Sequence, residues 1–166
     1  MTKMATGLVN LSDYHFDSSL DGSSFKIILV VSEWNESITN SLKSATIESL
    51  LALKVNPENI KTIYVPGSFE LIYGAKLAQE KNPDAVIVIG SIIQGETKHF
   101  DFICNAVSNG IKDLNIRNKV PVIFCVLTDY NLKQAQDRSG GKYGNKGIEA
   151  AIAAIKMSKI RKEENK

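Results

Sequence analysis

Residues 84–111 read DAVIVIGSIIQGETKHFDFICNAVSNGI, and their patterning decides the fold class. Ala85 to Ile89 is an unbroken apolar run rich in β-branched residues, the mark of a parallel strand buried on both faces. Gly90 to Glu96 reads as a glycine-bounded loop. Phe100, Ile103, Cys104, Val107 and Ile111 then recur at helical spacing and give an amphipathic helix one apolar stripe. A strand, a loop and a helix N-terminus in succession make an anion site, because free N–H groups and the positive end of the helix dipole point the same way. His99, one of two histidines in the chain, falls in the first turn of that helix.

The same alternation extends outward in both directions. Lys26–Val31 is a first buried strand ending at Trp34-Asn35, and Asn35 or Ser37 is suited to cap the helix that follows. Ile38, Leu42, Ala45 and Ala52 hold one face of this helix. Ile47, Leu50 and Leu51 widen its apolar surface, which calls for a second packing partner beyond the sheet. Ile60–Val65 is a second strand stopped by Pro66-Gly67, and Ser68-Phe69-Glu70 opens a helix to about Gln79. Downstream, Val120–Leu127 is a fourth strand, and Asn131–Arg138 a short helix. The glycine-rich turn 139–144 leads to a last helix carrying Ile148, Ala151, Ile152 and Ile155, which frays into the charged tail 158–166. Strands alternating with helices require an α/β fold with a four-stranded parallel sheet covered on both sides. Right-handed crossovers make it a flavodoxin-like three-layer α/β/α sandwich. Residues 25–166 form a single domain on this reading, and residues 1–24 a polar N-terminal arm. Ligands of such sheets sit beyond the carboxyl ends of the strands. That rim gathers Trp34-Asn35, Gly67–Glu70, Ser91–Thr97 and Thr128-Asp129.

Bulk properties narrow the function. The 166 residues are 43% hydrophobic and 23% charged, as in an ordinary globular domain. A net charge of +2 from 20 basic and 18 acidic side chains, dispersed along the chain, does not provide a nucleic-acid surface. Cys104 and Cys125 match no metal-ligand spacing, and read as reduced core thiols of a cytoplasmic protein with no metal site. No apolar run approaches the ~20 residues of a membrane span. The N-terminus lacks the pattern of a secretory signal.

Each candidate residue has a plainer reading beside the functional one. Gly90 and Gly95 are spaced as in a P-loop, but Glu96-Thr97 stands in place of Lys-Ser/Thr, so the segment is a plain turn or a phosphate site without its own cation. Arg138 is the candidate to supply that cation, since guanidinium matches phosphate bidentately. His99 lies off the apolar stripe, beside the anion site, as a proton-transferring group would. Trp34 and Phe69 either cap the core or stack on a planar heterocycle. Glu70 either complements a helix dipole or accepts hydrogen bonds from a ligand. Phe124 reads as core, and Gly140–Gly147 as a flexible connector with a solvated Lys146.

Taken together, Trp34-Asn35, VPGSFE at 65–70, GSIIQGETKHFDF at 90–102, PVIFCVLT at 121–128 and QAQDRSGGKYGNKGIEAAIAAIKM at 134–157 resemble the 6,7-dimethyl-8-ribityllumazine synthase family. The resemblance runs from about Phe25 to Met157. It implies a transferase of riboflavin biosynthesis that condenses 5-amino-6-(D-ribitylamino)uracil with 3,4-dihydroxy-2-butanone 4-phosphate, without metal or organic cofactor. It assigns Trp34, Asn35, Ser68, Phe69, Glu70, Ser91, Ile92, Ile93, Phe124 and Lys146 to the pyrimidine substrate. Gly95, Glu96, Thr97 and Arg138 fall to the phosphate-bearing substrate, and His99 to proton transfer. By the same resemblance Phe124, Arg138 and Lys146 reach the pocket from a neighbouring subunit. Pentamers, an icosahedral 60-mer shell favoured by the short turn at 140–147, and riboflavin synthase as a partner are also implied. The chain departs from the family pattern at Glu33 and Gln94, where arginine is common, at Ser68 for a frequent alanine, and at Trp34 for a usual phenylalanine. Non-catalytic flavin binding, a signalling receiver and an archaeal-type riboflavin synthase are the competing readings. The receiver lacks its paired acidic residues after the first strand.

Overall fold

The computed structural model of the chain describes residues 19–164. Most of the arm expected over residues 1–24, including His15, lies outside the described residues, as do positions 165–166 of the tail. The element order is β1 (Ile27–Ser32), α1 (Glu36–Ala52), β2 (Ile60–Val65), α2 (Leu71–Glu80), β3 (Ala85–Ile93), α3 (His99–Arg117) and β4 (Val122–Asp129). These are followed by α4 (Leu132–Arg138), a hairpin of β5 (Ser139–Gly141) and β6 (Gly144–Asn145), and α5 (Lys146–Glu164). β1 to β4 form one parallel sheet in the order β2-β1-β3-β4. This is the expected flavodoxin-like sandwich.

Its two cores follow from the strand period of two. Ile27, Leu29, Val31, Ile87, Ile89, Cys125 and Leu127 face one way and pack with Ile38, Leu42, Leu50, Ile152 and Ile155 of α1 and α5. Ile28, Val30, Val86, Val88, Val122 and Val126 face the other way, against Leu71 and Ala75 of α2 and Val107 and Ile111 of α3. Because both sheet faces are covered, no polar alternation survives in the central strands, and their sequence is continuously apolar. α5 is the second partner that the broad apolar surface of α1 calls for.

Several expectations are corrected. Ala52 is exposed and Ala45 only half-buried; Thr39, Thr46 and Ser49 complete the buried face of α1. Threonine fits there because Thr46 Oγ1 donates to the Leu42 carbonyl at 2.8 Å. Phe124 is 38% exposed rather than core: Val122 and Val126 on the same face of β4 are covered by the α2–α3 side of the sheet, and Phe124 between them is not. β3 runs four residues past Ile89, so Gly90 lies within a strand rather than opening a loop. β4 runs to Asp129. The tail does not fray at 158: α5 continues to Glu164, with Ser158 buried. Arg161 anchors it by donating to the Pro83 carbonyl at 2.5 Å and Asn82 Oδ1 at 2.7 Å. The glycine-rich turn is a built hairpin, not a flexible connector. Ser41 Oγ donates to the Ser139 carbonyl, and Asn145 Nδ2 to the Ser41 carbonyl at 3.3 Å.

The thiols fall unequally. Cys125 is fully buried and Cys104 half-buried; both are free. Burial pushes the Cys125 thiol up to about 12 against the opposing pull of Lys146, and burial then Asp101 raise Cys104. Both stay protonated at neutral pH and are poor nucleophiles. No helix among the described residues is long and apolar enough to cross a membrane.

Candidate active site

The site begins with a mismatch in strand length. β3 pairs with β1 as far as Val31↔Ile89, but with β4 as far as Ile93↔Asp129. Gly90 to Ile93 therefore have a strand neighbour on one side only. The chain leaving β1 turns away at Asn35, which has φ 60° and ψ 47°, a left-handed conformation asparagine tolerates better than most residues. Asn35 stands at the N-cap position of α1, but its side chain makes no cap bond, contrary to expectation. It donates from Nδ2 to the Ser91 carbonyl at 2.8 Å instead, filling part of the open edge of β3. Trp34 N–H donates to the Pro66 carbonyl at 3.2 Å, which ties the same corner to the segment after β2.

That segment is set by a close approach. A Cβ on Gly90 would come within 2.8 Å of Leu71 Cδ1 and 2.9 Å of Ser68 Oγ. The bare Cα lets Ser68 sit against β3, while the Ser68 carbonyl accepts from Leu71 N–H at the start of α2. Gly90→Ala is expected to cost about 1–2 kcal/mol by overpacking and to raise the KM of any ligand held by residues 68–70. Thermal melting and substrate titration check it; unchanged values in both would contradict the close-approach account.

Between these elements lies an open cavity of about 490 Å³. It brings together Trp34, Asn35, Ser68, Phe69, Glu70, Ser91, Ile92, Ile93 and His99 of the expected site, with Pro66, Gly67 and Ile103 completing the wall. Trp34 and Phe69 are 72% and 52% exposed, so two aromatic faces remain uncovered beside it. Ser91 Oγ is buried with no hydrogen-bond partner among the described residues. Glu70 and His99 are the charged or titratable groups in the wall; no lysine or arginine lines it.

The expected phosphate segment adjoins this cavity without lining it. Gly95, Glu96 and Thr97 are exposed on the loop before α3. Gln94 N–H donates to the Asp129 carbonyl at 3.0 Å, and His99 N–H to Thr97 Oγ1 at 3.3 Å. Lys98 occupies the N-cap position of α3, exposed, beside His99. The loop reading does not single it out, although a cation next to the anion site was legible in the sequence. Thr128-Asp129 belongs to the rim by topology but not to the cavity wall.

Phe124, Arg138 and Lys146 are elsewhere in the same protomer. Arg138 Nη1 donates to the Gln134 carbonyl at 3.1 Å and lies 3.5 Å from Asp129 Oδ1. Lys146 is ion-paired with Glu149 at the start of α5. No group of three or more His, Cys, Asp or Glu side chains able to hold a metal occurs among the described residues.

A parallel α/β sandwich with its cavity past the carboxyl ends of the strands is a small-molecule site by topology. Two uncovered aromatic faces, a strand edge offering backbone groups and one imidazole suit it to a planar, polar ligand on which protons must move. Residues 24–162 match the family model described as 6,7-dimethyl-8-ribityllumazine synthase. A protein of that name from Flavobacterium johnsoniae is 56% identical over 161 residues, covering 96% of this chain and 85% of the relative. Another, from Christiangramia forsetii, is 53% identical and covers 96% of both chains. A third, from Porphyromonas gingivalis, is 49% identical over 93% of this chain and 97% of the relative. The chain belongs to the 6,7-dimethyl-8-ribityllumazine synthase family.

Proposed function

We propose that this chain condenses 5-amino-6-(D-ribitylamino)uracil with 3,4-dihydroxy-2-butanone 4-phosphate to 6,7-dimethyl-8-ribityllumazine, the penultimate step of riboflavin biosynthesis. The observation that carries the reading, beside family membership, is the convergence of segments 34–35, 66–70, 91–93 and His99 on one cavity. The pyrimidine stacks on Trp34 and Phe69, and its polar edge meets Asn35, Ser91, Ile92 and Ile93. Ser68 and Glu70 hold the ribityl chain. The 5-amino group attacks the ketone carbonyl and water leaves as the imine forms. Phosphate is then eliminated, and the ribityl-bearing nitrogen closes the ring with loss of a second water. None of these steps needs a strong nucleophile or a cofactor; each needs orientation and proton transfer, which His99 supplies. Mixing both substrates with the purified chain and following the lumazine chromophore tests the reading. Absence of the chromophore overturns it.

The phosphate-bearing substrate needs a cation, and the cavity wall has neither lysine nor arginine. A neighbouring subunit that contributes Arg138, Lys146 and Phe124 answers this need, with Gly95, Glu96 and Thr97 closing round the phosphate. Exposed apolar side chains outside the cavity, Phe102, Ile116 and Tyr130, each at least 70% exposed, are suited to such a contact. The assembly is a pentamer closed into a 60-mer shell, in the cytoplasm, with riboflavin synthase as candidate partner. Sedimentation is expected to give a shell-sized particle. A discrete pentamer contradicts the shell, and a monomer contradicts the shared site.

A further inference from the structure

Arg138 lies at the end of α4, beside the last residue of β4. Its Nη1 donates to the Gln134 carbonyl and lies 3.5 Å from Asp129 Oδ1, and the guanidinium carbon stands 5.3 Å over the Tyr143 ring. The Arg138 and Asp129 side chains are 16% and 6% exposed, so water screens the pair little. Asp129 Oδ2 is buried with no hydrogen-bond partner among the described residues. Burial raises the Asp129 carboxyl above its usual range, and Arg138 only partly opposes the shift. The main chain of the same residue pairs with Ile93 across the sheet and accepts from Gln94 N–H at 3.0 Å, where the 94–98 loop departs. One residue thus touches Arg138 through its side chain and the loop carrying Gly95 to Thr97 through its backbone; on the shared-site reading these two serve adjoining cavities of the assembly.

We propose that Asp129 is a positioning residue for the phosphate-bearing substrate: it fixes the Arg138 guanidinium in register with the end of β4, so that the arginine is oriented before phosphate arrives. The inference rests on the assignment of Arg138 to phosphate made above. An arginine side chain loses several rotamers when it binds, and prior fixation removes that loss from the binding step. The Nη1–Oδ1 separation of 3.5 Å is longer than the roughly 2.7–2.9 Å of a tight charge-assisted bond, so this contact steers the group more than it binds it.

The test uses the full chain in its native assembly. Asp129→Asn keeps the side-chain volume and removes the charge. It is expected to raise the KM of the phosphate-bearing substrate about five- to tenfold while the KM of the pyrimidine stays within about twofold. Arg138→Ala is expected to raise the same KM further, and adding Asp129→Asn to it to change nothing more, because the carboxylate acts only through the guanidinium. If Arg138→Ala leaves that KM unchanged, the assignment of Arg138 fails and the inference with it. If Arg138→Ala raises it but Asp129→Asn does not, or if the two effects multiply in the double variant, the positioning role alone is overturned. Thermal melting monitors folding, and Asp129→Ser carries the same comparison should Asp129→Asn melt early.

Discussion

With both substrates saturating, His99→Ala is expected to turn over about 10- to 100-fold more slowly than the parent chain, with both KM values within about twofold. The imidazole stands in the first turn of α3, exposed and in the cavity wall, off the stripe that packs α3 onto the sheet. Its loss therefore leaves the helix, the aromatic faces and the strand edge in place. Orientation of the two substrates survives, and orientation is the larger part of the catalysis proposed here. What disappears is a group that gives and takes protons during imine formation, elimination and ring closure. General acid–base assistance contributes about 10²–10⁴-fold in buried sites, and an open cavity lets water recover part of it, hence the lower range. Steady-state kinetics decide it. An unchanged kcat would remove His99 from the chemistry, and a large rise in KM with kcat intact would make it a binding group instead.

The largest stability effect is expected at Gly147. A Cβ there would run into the Leu42 carbonyl oxygen of α1, and would also lie 2.7 Å from Thr46 Oγ1 and 3.0 Å from Asn145 Oδ1. The obstacle is backbone, and it cannot yield cheaply. Ser41, next to Leu42, is bonded to Ser139 and Asn145, so moving α1 disturbs the β5–β6 hairpin. Alanine gains about 1 kcal/mol over glycine in helix propensity, but forced overpacking against a fixed backbone costs about 3 kcal/mol, so the clash wins. Gly147→Ala should lose about 2 kcal/mol net and melt about 4–8 °C lower. A melting point within 1 °C of the parent's, on the order of measurement error, would show that α1 and α5 separate more freely than their packing implies.

The alternation of strands and helices was legible because each central strand is covered on both faces, which leaves an uninterrupted apolar run. Element ends were less legible where a tertiary partner overrides the local signal. Gly90 reads as the start of a loop, yet β4 pairs with it and carries the strand on to Ile93. Residues 158–164 read as a fraying tail, yet Arg161 binds the turn before β3. Asn35 or Ser37 reads as the cap of α1, yet Ser37 lies within the helix and the Asn35 side chain donates to the carbonyl of Ser91, 56 residues away. In each case a bond to a residue distant in sequence outweighs the local preference, and no window of the sequence contains both partners.

The sequence by itself determined the sheet, its helical cover, and the family through motifs at Trp34-Asn35, 65–70, 90–102 and 134–157, since these depend on side-chain period and residue order. Only the tertiary structure decided which of those motifs share a cavity. It placed nine of the expected residues, His99 among them, around one open edge of β3. It also placed Arg138 on the buried carboxylate of Asp129. The physical reason is that a cavity arises where strands of unequal length stop covering one another, and strand length is set by pairing between segments far apart in the chain.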